Sequence, residues 1–277
     1  LNEDHFFVNE VNIKMNINKK YIKALLLFPV IFLISCADVS ETNENVIAWD
    51  ATNYTMYNEF MTCTAGENYS QEALNEAIAS WRGIDKPESM LGAWGYATVT
   101  DDNSSFNNWW ELSWSSKEDA DAGWQEWLES EEGAAWGEKY SSVLQCDGEN
   151  REGYDFIFPY DPYAFGDTSE DGSFAASFSP CTLNEGKSQE DFSNALILYN
   201  TWLDNVDQSQ TNGFYAYGIY FPGDVTAEED FWFANFHETL ETMSQGNALW
   251  EETGGDAKVQ MEATSTCLAP EISNGQV

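Results

Sequence analysis

The sequence predicts an α+β fold: two tandem βαββαβ units whose sheets face one another as a pseudo-dimeric barrel or sandwich. Three observations predict it. The chain repeats itself at an offset that drifts between 118 and 123 residues. Within each copy, strand-like alternation and helix-like spacing follow one another in the same order. The 277 residues are 43% hydrophobic and 15% aromatic, enough for one or two real cores and too much for a disordered acidic tail.

The repeat is anchored by cysteines. Cys63-Thr64-x-x-Glu67-x-x-Ser70-Gln71-Glu72-x-Leu74-x-x-Ala77 returns as Cys181-Thr182-x-x-Glu185-x-x-Ser188-Gln189-Glu190-x-Phe192-x-x-Ala195. Ala93-Trp94-Gly95 matches Ala216-Tyr217-Gly218, and Trp109-Trp110 matches Phe231-Trp232. Gly123 with Trp127 matches Gly246 with Trp250, and Cys146 matches Cys267. Each copy opens on a strand, Tyr57–Cys63 or Ser173–Cys181. A helix follows, with Ser70 or Ser188 as N-cap and acids in its first turn, where the helix dipole favours them. Leu74, Ala77, Ile78 and Trp81 recur on it at helical spacing, as do Phe192, Ala195, Leu196 and Tyr199. Two strands come next, Met90–Thr100 with Asn108–Trp114 and Gly213–Phe221 with Phe231–Phe236, turning at Asp101–Ser105 and Gly223–Glu229. A longer helical region follows, Lys117–Leu144 or Leu240–Glu262, then in the first copy a strand Tyr154–Pro159.

This order is that of the ferredoxin-like split unit. The segment Glu111-Leu-Ser-Trp114-Ser-Ser-Lys-Glu118-Asp-Ala120 resembles the strand-into-helix junction of the dimeric α+β barrel superfamily, which includes the antibiotic-biosynthesis monooxygenase-like domains. The resemblance implies a barrel and, on the activity side, cofactor-independent oxygenation of an aromatic substrate. The second copy departs from the motif, with Phe233 and Phe236 in place of Glu111 and Trp114. It also has only ten residues after Cys267, so its last strand is expected to be short or missing.

Charge sets the partners. Eleven Lys and Arg against 48 Asp and Glu give a net charge of −37, which excludes nucleic acid and a direct electrostatic grip on an anionic membrane. The amino-terminal part reads as an address. Residues 1–14 precede Met15 and are read as an over-extended start; 15–35 form a lipoprotein signal peptide, with Lys19, Lys20 and Lys23 before an apolar run from Ala24 to Ile34. That run is too short to span a bilayer. It ends in Leu33-Ile34-Ser35-Cys36, a lipobox pattern that makes Cys36 the lipidation site and 36–50 a lipid anchor and tether. The expected location is the cell envelope, lipid-anchored, with the outer membrane favoured because Ala37 rather than Asp follows Cys36. The first unit then occupies 51–160, a linker 161–172 and the second unit 173–277.

The remaining four cysteines, two per unit, are expected as disulfides Cys63–Cys146 and Cys181–Cys267, the usual state of paired cysteines in an oxidising compartment. No metal site is expected, because no two cysteines stand at ligand spacing and only His237 remains after processing. Asp167-x-Ser169-x-Asp171-Gly172 begins like a calcium loop but has Phe178 where a bidentate Glu belongs, so it reads as linker. No cofactor is expected.

Strand alternation divides the aromatic residues between two faces. Trp110, Leu112 and Trp114, with Trp232, Ala234 and Phe236, should face the helices, along with Ala93, Gly95, Ala216 and Gly218. The opposite face should form an aromatic cleft of Trp94, Tyr96, Trp109, Glu111, Tyr215, Tyr217, Phe233 and Asn235, alongside Ser113 and Phe231. Such a cleft either binds a small apolar or cationic ligand or simply fills the space between two sheets. For an oxygenase, Glu111, Asn235 and His237 are the candidates to take a proton. His237 reads first as an ordinary, partly buried residue and second as a catalytic one. Three functions therefore compete: an exported ligand-binding protein, which export favours; a monooxygenase-like enzyme; and a purely structural envelope protein.

Overall fold

The computed structural model describes residues 55–99, 108–207, 213–223 and 227–276. Residues 1–54, with the expected signal peptide, Cys36 and tether, lie outside the described residues, as do the expected turn at Asp101–Ser105 and part of Gly223–Glu229. The first half runs β1 (Thr55–Ala65), α1 (Gln71–Arg82), β2 (Met90–Thr98), β3 (Asn108–Trp114), α2 (Lys117–Glu129), α3 (Glu131–Tyr140), β4 (Leu144–Cys146) and β5 (Glu152–Ile157). The second runs β6 (Ser173–Leu183), α4 (Gln189–Asn205), β7 (Tyr215–Pro222), β8 (Phe231–His237), α5 (Leu240–Thr253), α6 (Gly255–Thr264), β9 (Ser265–Cys267) and β10 (Glu271–Gln276).

Side-chain caps start the helices where the sequence places them. The Ser70 hydroxyl accepts the Ala73 N–H, and Ser188 with Asp191 forms a reciprocal capping box. Each long helical region is two helices rather than one. Ser130 adopts extended backbone, ends α2 and accepts the Gly133 N–H to start α3. In the second half the break falls at Gly254 and Gly255, the latter at a positive φ of 48°.

Four strands of each half pair antiparallel, in the orders β5-β1-β3-β2 and β10-β6-β8-β7. The outer strands then pair across the halves, β5 with β7 and β2 with β10, also antiparallel. The result is a closed eight-stranded antiparallel barrel, with β4 and β9 as short additions to β1 and β6. The helices lie on its outside.

The last strand is neither short nor missing: β10 has six residues, as many as β5, and closes the barrel. Ten residues after Cys267 suffice because β10 needs only Glu271–Gln276 to bridge β6 and β2. Gly275 is required there, since a Cβ would stand 2.3 Å from the Phe174 ring.

Cys63–Cys146 and Cys181–Cys267 are disulfides, each joining directly opposed residues of β1 and β4 or β6 and β9. With sequence separations of 83 and 86 they each restrict the unfolded chain by roughly 4 kcal/mol. The Asp167–Gly172 stretch is a turn into β6: the Asp171 carboxylate accepts the Ser173 N–H and the hydroxyls of Ser169 and Ser173.

Candidate functional site

The barrel interior is mostly apolar, with one connected knot of polar groups near its middle. Glu111 on β3 is 1% exposed. Its Oε1 accepts the Asn58 side-chain amide at 2.6 Å and the Tyr220 hydroxyl at 2.9 Å; its Oε2 accepts the Tyr96 hydroxyl at 2.6 Å. Ser113 donates to the other end of the Asn58 amide at 2.9 Å. Burial pushes the Glu111 carboxyl up, and the three donors pull it back part of the way. Burial, with the carboxylate beside them, holds both phenols well above their usual range, so they stay protonated donors. The matching places in the second half are Ala176, Ala234 and Phe236, which cannot form such a knot.

Trp94, Tyr96, Trp109 and Glu111 therefore face inward together, as the sequence predicts. Tyr215, Tyr217, Phe233 and Asn235 do not join them. They lie on the outer face, under the helices, while Trp232, Ala234 and Phe236 turn inward. Ala216 and Gly218 also turn inward, and a Cβ on Gly218 would meet the Phe156 ring at 2.3 Å. The error is a register slip of one residue: Trp232, not Phe231, takes the place of Trp109, and one residue's shift exchanges the faces of a strand. Phe231 instead packs at a tilt against Phe192 of α4, 4.3 Å between ring centroids.

The outer face of the second half is densely packed. Tyr217 and Phe233 stack at 5.3 Å, and the Tyr217 hydroxyl bonds Asn200 at 2.5 Å. Tyr199, Tyr215 and Asn235 form a short hydroxyl-to-amide chain. His237 lies at its end, its ring 4.9 Å from that of Tyr215, and burial draws its pKa down to about 4. Glu111 is thus separated from Asn235 and His237 by the sheet, and the three do not form one proton-transferring group.

The open space lies where the sequence reading expected packing. Between the outer face of β1–β3–β2 and helices α1–α3 is a cavity of ≈ 410 Å³. Six tryptophans line it: Trp81, Trp110, Trp114, Trp124, Trp127 and Trp136. Three of their indole N–H groups are tied down. Trp114 and Trp124 both donate to Glu59 Oε2, at 3.0 and 2.6 Å, and Trp136 donates to the Ala77 carbonyl at 3.0 Å. Arg151 holds the other Glu59 oxygen at 2.7 Å, so this buried carboxylate is fully engaged. Edge-to-face contacts join Trp81 to Trp110, Trp110 to Trp136 and Trp136 to Trp127. Gly123 makes room for the Trp114 ring, which a Cβ there would approach to 2.3 Å.

Lys86 is the one charged residue in the lining. Its ammonium stands 4.0 Å from the Trp81 ring centroid and donates to the carbonyls of Trp81 and Ile84. The signal that could have exposed this cavity is the run of tryptophans from 110 to 136 with Gly137 directly after it, where a Cβ would meet nothing within 4 Å. Large rings beside residues with no side chain leave gaps.

No protein-family model matches the sequence, and no curated protein matches it. Among solved structures, the chain is similar to an anthrone oxidase-like protein, with 13% identity and a TM-score of 0.48, over 82% of this chain and 92% of that one. It is also similar to a chlorite dismutase variant from Candidatus Nitrospira defluvii, with 9% identity and a TM-score of 0.48, over 82% and 93% of the two chains.

His237 makes stability depend on pH. Its imidazole protonates near 6.5 when unfolded and about 4 when folded, so its contribution is complete above pH 6.5 and is lost as the pH falls toward 4. The loss amounts to about 3 kcal/mol. Urea denaturation at pH 7 and pH 4 should show His237→Gln losing about that much less stability than the wild type. Equal losses would mean that the imidazole is not held neutral.

Proposed function

We propose that the protein holds a small, flat, apolar molecule in the tryptophan cavity of its first half, in the cell envelope, exported and lipid-anchored through Cys36. The observation that carries the binding reading is the cavity itself: ≈ 410 Å³ walled by six tryptophans, three held by indole hydrogen bonds and the other three by edge-to-face contacts with neighbouring rings. That volume falls within the range of about 300–1,000 Å³ typical of small-molecule sites. Fixed rings lose little conformational entropy when a ligand inserts between them. The corresponding layer of the second half is filled by Tyr199, Tyr217, Phe233 and Trp250, so a packed version of the same architecture exists beside the open one.

We read the chain as two ferredoxin-like units in tandem. Support comes from the same strand order in both sets of four, the caps at Ser70 and Ser188, and the matched disulfides. Gly123 against Trp114 and Gly246 against His237 form a further matched pair. Oxygenation of the bound molecule, implied by the barrel resemblance, requires a proton acceptor facing it. Glu111 is sealed on the other side of the sheet, which favours binding without chemistry. Export is supported by the basic and apolar layout of 15–35 and by the two disulfides, which suit an oxidising compartment.

Gly137 supplies the test of the cavity. It lines the space from α3, and a Cβ there meets nothing within 4 Å. Gly137→Leu should fill the cavity while favouring the helix by about 0.8 kcal/mol. Naphthalene-sized probes such as 2-naphthol should quench tryptophan fluorescence saturably and raise the melting temperature of the wild type, and do neither in Gly137→Leu. Absence of binding by the wild type, or undiminished binding by the variant, would refute the reading. For the anchor, Cys36→Ala should move the protein from the membrane fraction to the soluble fraction; unchanged fractionation would reject it.

A further inference from the structure

A second space opens inside the barrel, at the end where β3 and β10 begin. It is a small cavity of ≈ 70 Å³, and its wall repeats itself across the two halves. Phe60 and Phe178 occupy matching places, each directly opposite a glutamate: Phe60 faces Glu152 across β1–β5, and Phe178 faces Glu271 across β6–β10. Tyr96 and Tyr220 match in the same way, each opposite a tryptophan, Trp109 or Trp232. Elsewhere the halves differ inside the barrel: the Glu111 knot has alanine and phenylalanine for counterparts. The mouth is where aromatic rings and carboxylates are present twice.

The rings already contact one another. Phe60 meets Tyr220 at 5.4 Å and Phe178 at 5.9 Å, and Phe178 meets Tyr96 at 5.2 Å, all edge-on. Above them, Glu271 accepts the Trp109 indole N–H at 3.1 Å and the Thr98 hydroxyl at 2.8 Å, while Glu152 accepts the Tyr154 hydroxyl at 2.9 Å. No lysine or arginine lines the space. One step inward from Glu271 on the same face of β10, Ser273 is wholly buried opposite Ala176, and its hydroxyl has no partner among the described residues.

We propose that this mouth is a binding site for a small organic cation of the methylated-ammonium class. Ring faces attract such a cation by about 0.5–2 kcal/mol each, more strongly where water is excluded. The two carboxylates supply countercharge, and the net charge of −37 draws cations toward the protein as a whole. A bare metal ion fits poorly, because calcium and magnesium require six or more oxygen ligands and this wall is mostly carbon. A neutral molecule of the same shape gains the burial but not the charge term. The site is separate from the tryptophan cavity, which lies outside the sheet.

Calorimetric titration with choline and with its uncharged carbon isostere, 3,3-dimethyl-1-butanol, tests the assignment on the folded protein. Choline should bind saturably and at least about tenfold more tightly than the isostere. Glu271→Gln and Glu152→Gln should each weaken choline binding by about threefold to tenfold while leaving the circular dichroism spectrum unchanged. Gly137→Leu should leave choline binding intact. Equal affinity for the two probes, no choline binding by the folded wild type, or full affinity in the Glu152→Gln/Glu271→Gln double variant would overturn the proposal. Loss of choline binding in Gly137→Leu would overturn it too, by locating the cation in the tryptophan cavity.

Discussion

Every part of this molecule depends on the pairing of four sheet edges. Each half makes a four-stranded sheet whose outer strands, β2 and β5 or β7 and β10, would leave a row of backbone N–H and C=O groups unpaired. Pairing β2 with β10 and β5 with β7 satisfies both sheets at once and leaves no edge in the eight-stranded ring. The closure also decides what the residues can do. It turns one face of each strand inward and gives the other to the helices, so most inward polar groups must satisfy one another, Ser273 being the exception among the described residues. The Glu111 knot is how they do so: Tyr220 crosses from the second half to share a carboxylate with Tyr96 and Asn58 of the first.

The two halves then use their outer faces differently. The second packs Phe192, Leu196, Tyr199, Tyr217 and Phe231 into a closed layer. The first lines its layer with six tryptophans, of which Trp114 and Trp124 turn their N–H groups to Glu59 and Trp136 to the Ala77 carbonyl. An open cavity costs packing energy, which a protein can carry when hydrogen bonds, disulfides and a closed sheet hold the walls. The basic residues Arg82, Lys86, Lys117, Lys139 and Arg151 all belong to this first half, whereas Lys187 and Lys258 belong to the second.

Much of this architecture was legible because it rests on local chemistry. Ser70 and Ser188 are caps wherever they stand before an acidic first turn, and the cysteines at matched positions pair within their own halves. The alternation of β3 was readable because Glu111 and Ser113 mark one face. On β8 both faces are buried, so Phe231, Trp232 and Phe233 carry no alternation, and aligning aromatic pairs slipped the register by one. The three-residue strands β4 and β9 are too short to show a period, and β10, with Ser273, Asn274 and Gly275 at its centre, lacks a strand-like composition. The cavity was illegible for a different reason: a sequence records which side chains are present, whereas a cavity depends on how far they fail to fill the space between elements.

The closure itself is open to direct measurement by native-state hydrogen exchange. If β10 completes the ring, the backbone amides of residues 272–276 that bond β2 or β6, and their partners in 95–98, should exchange as slowly as those of 108–114 in the middle of the first sheet. Protection would then be lost only when the whole molecule unfolds. Rapid exchange along β10 and β2, with slow exchange retained in β3, would mean that the barrel is open at this seam and would contradict the account.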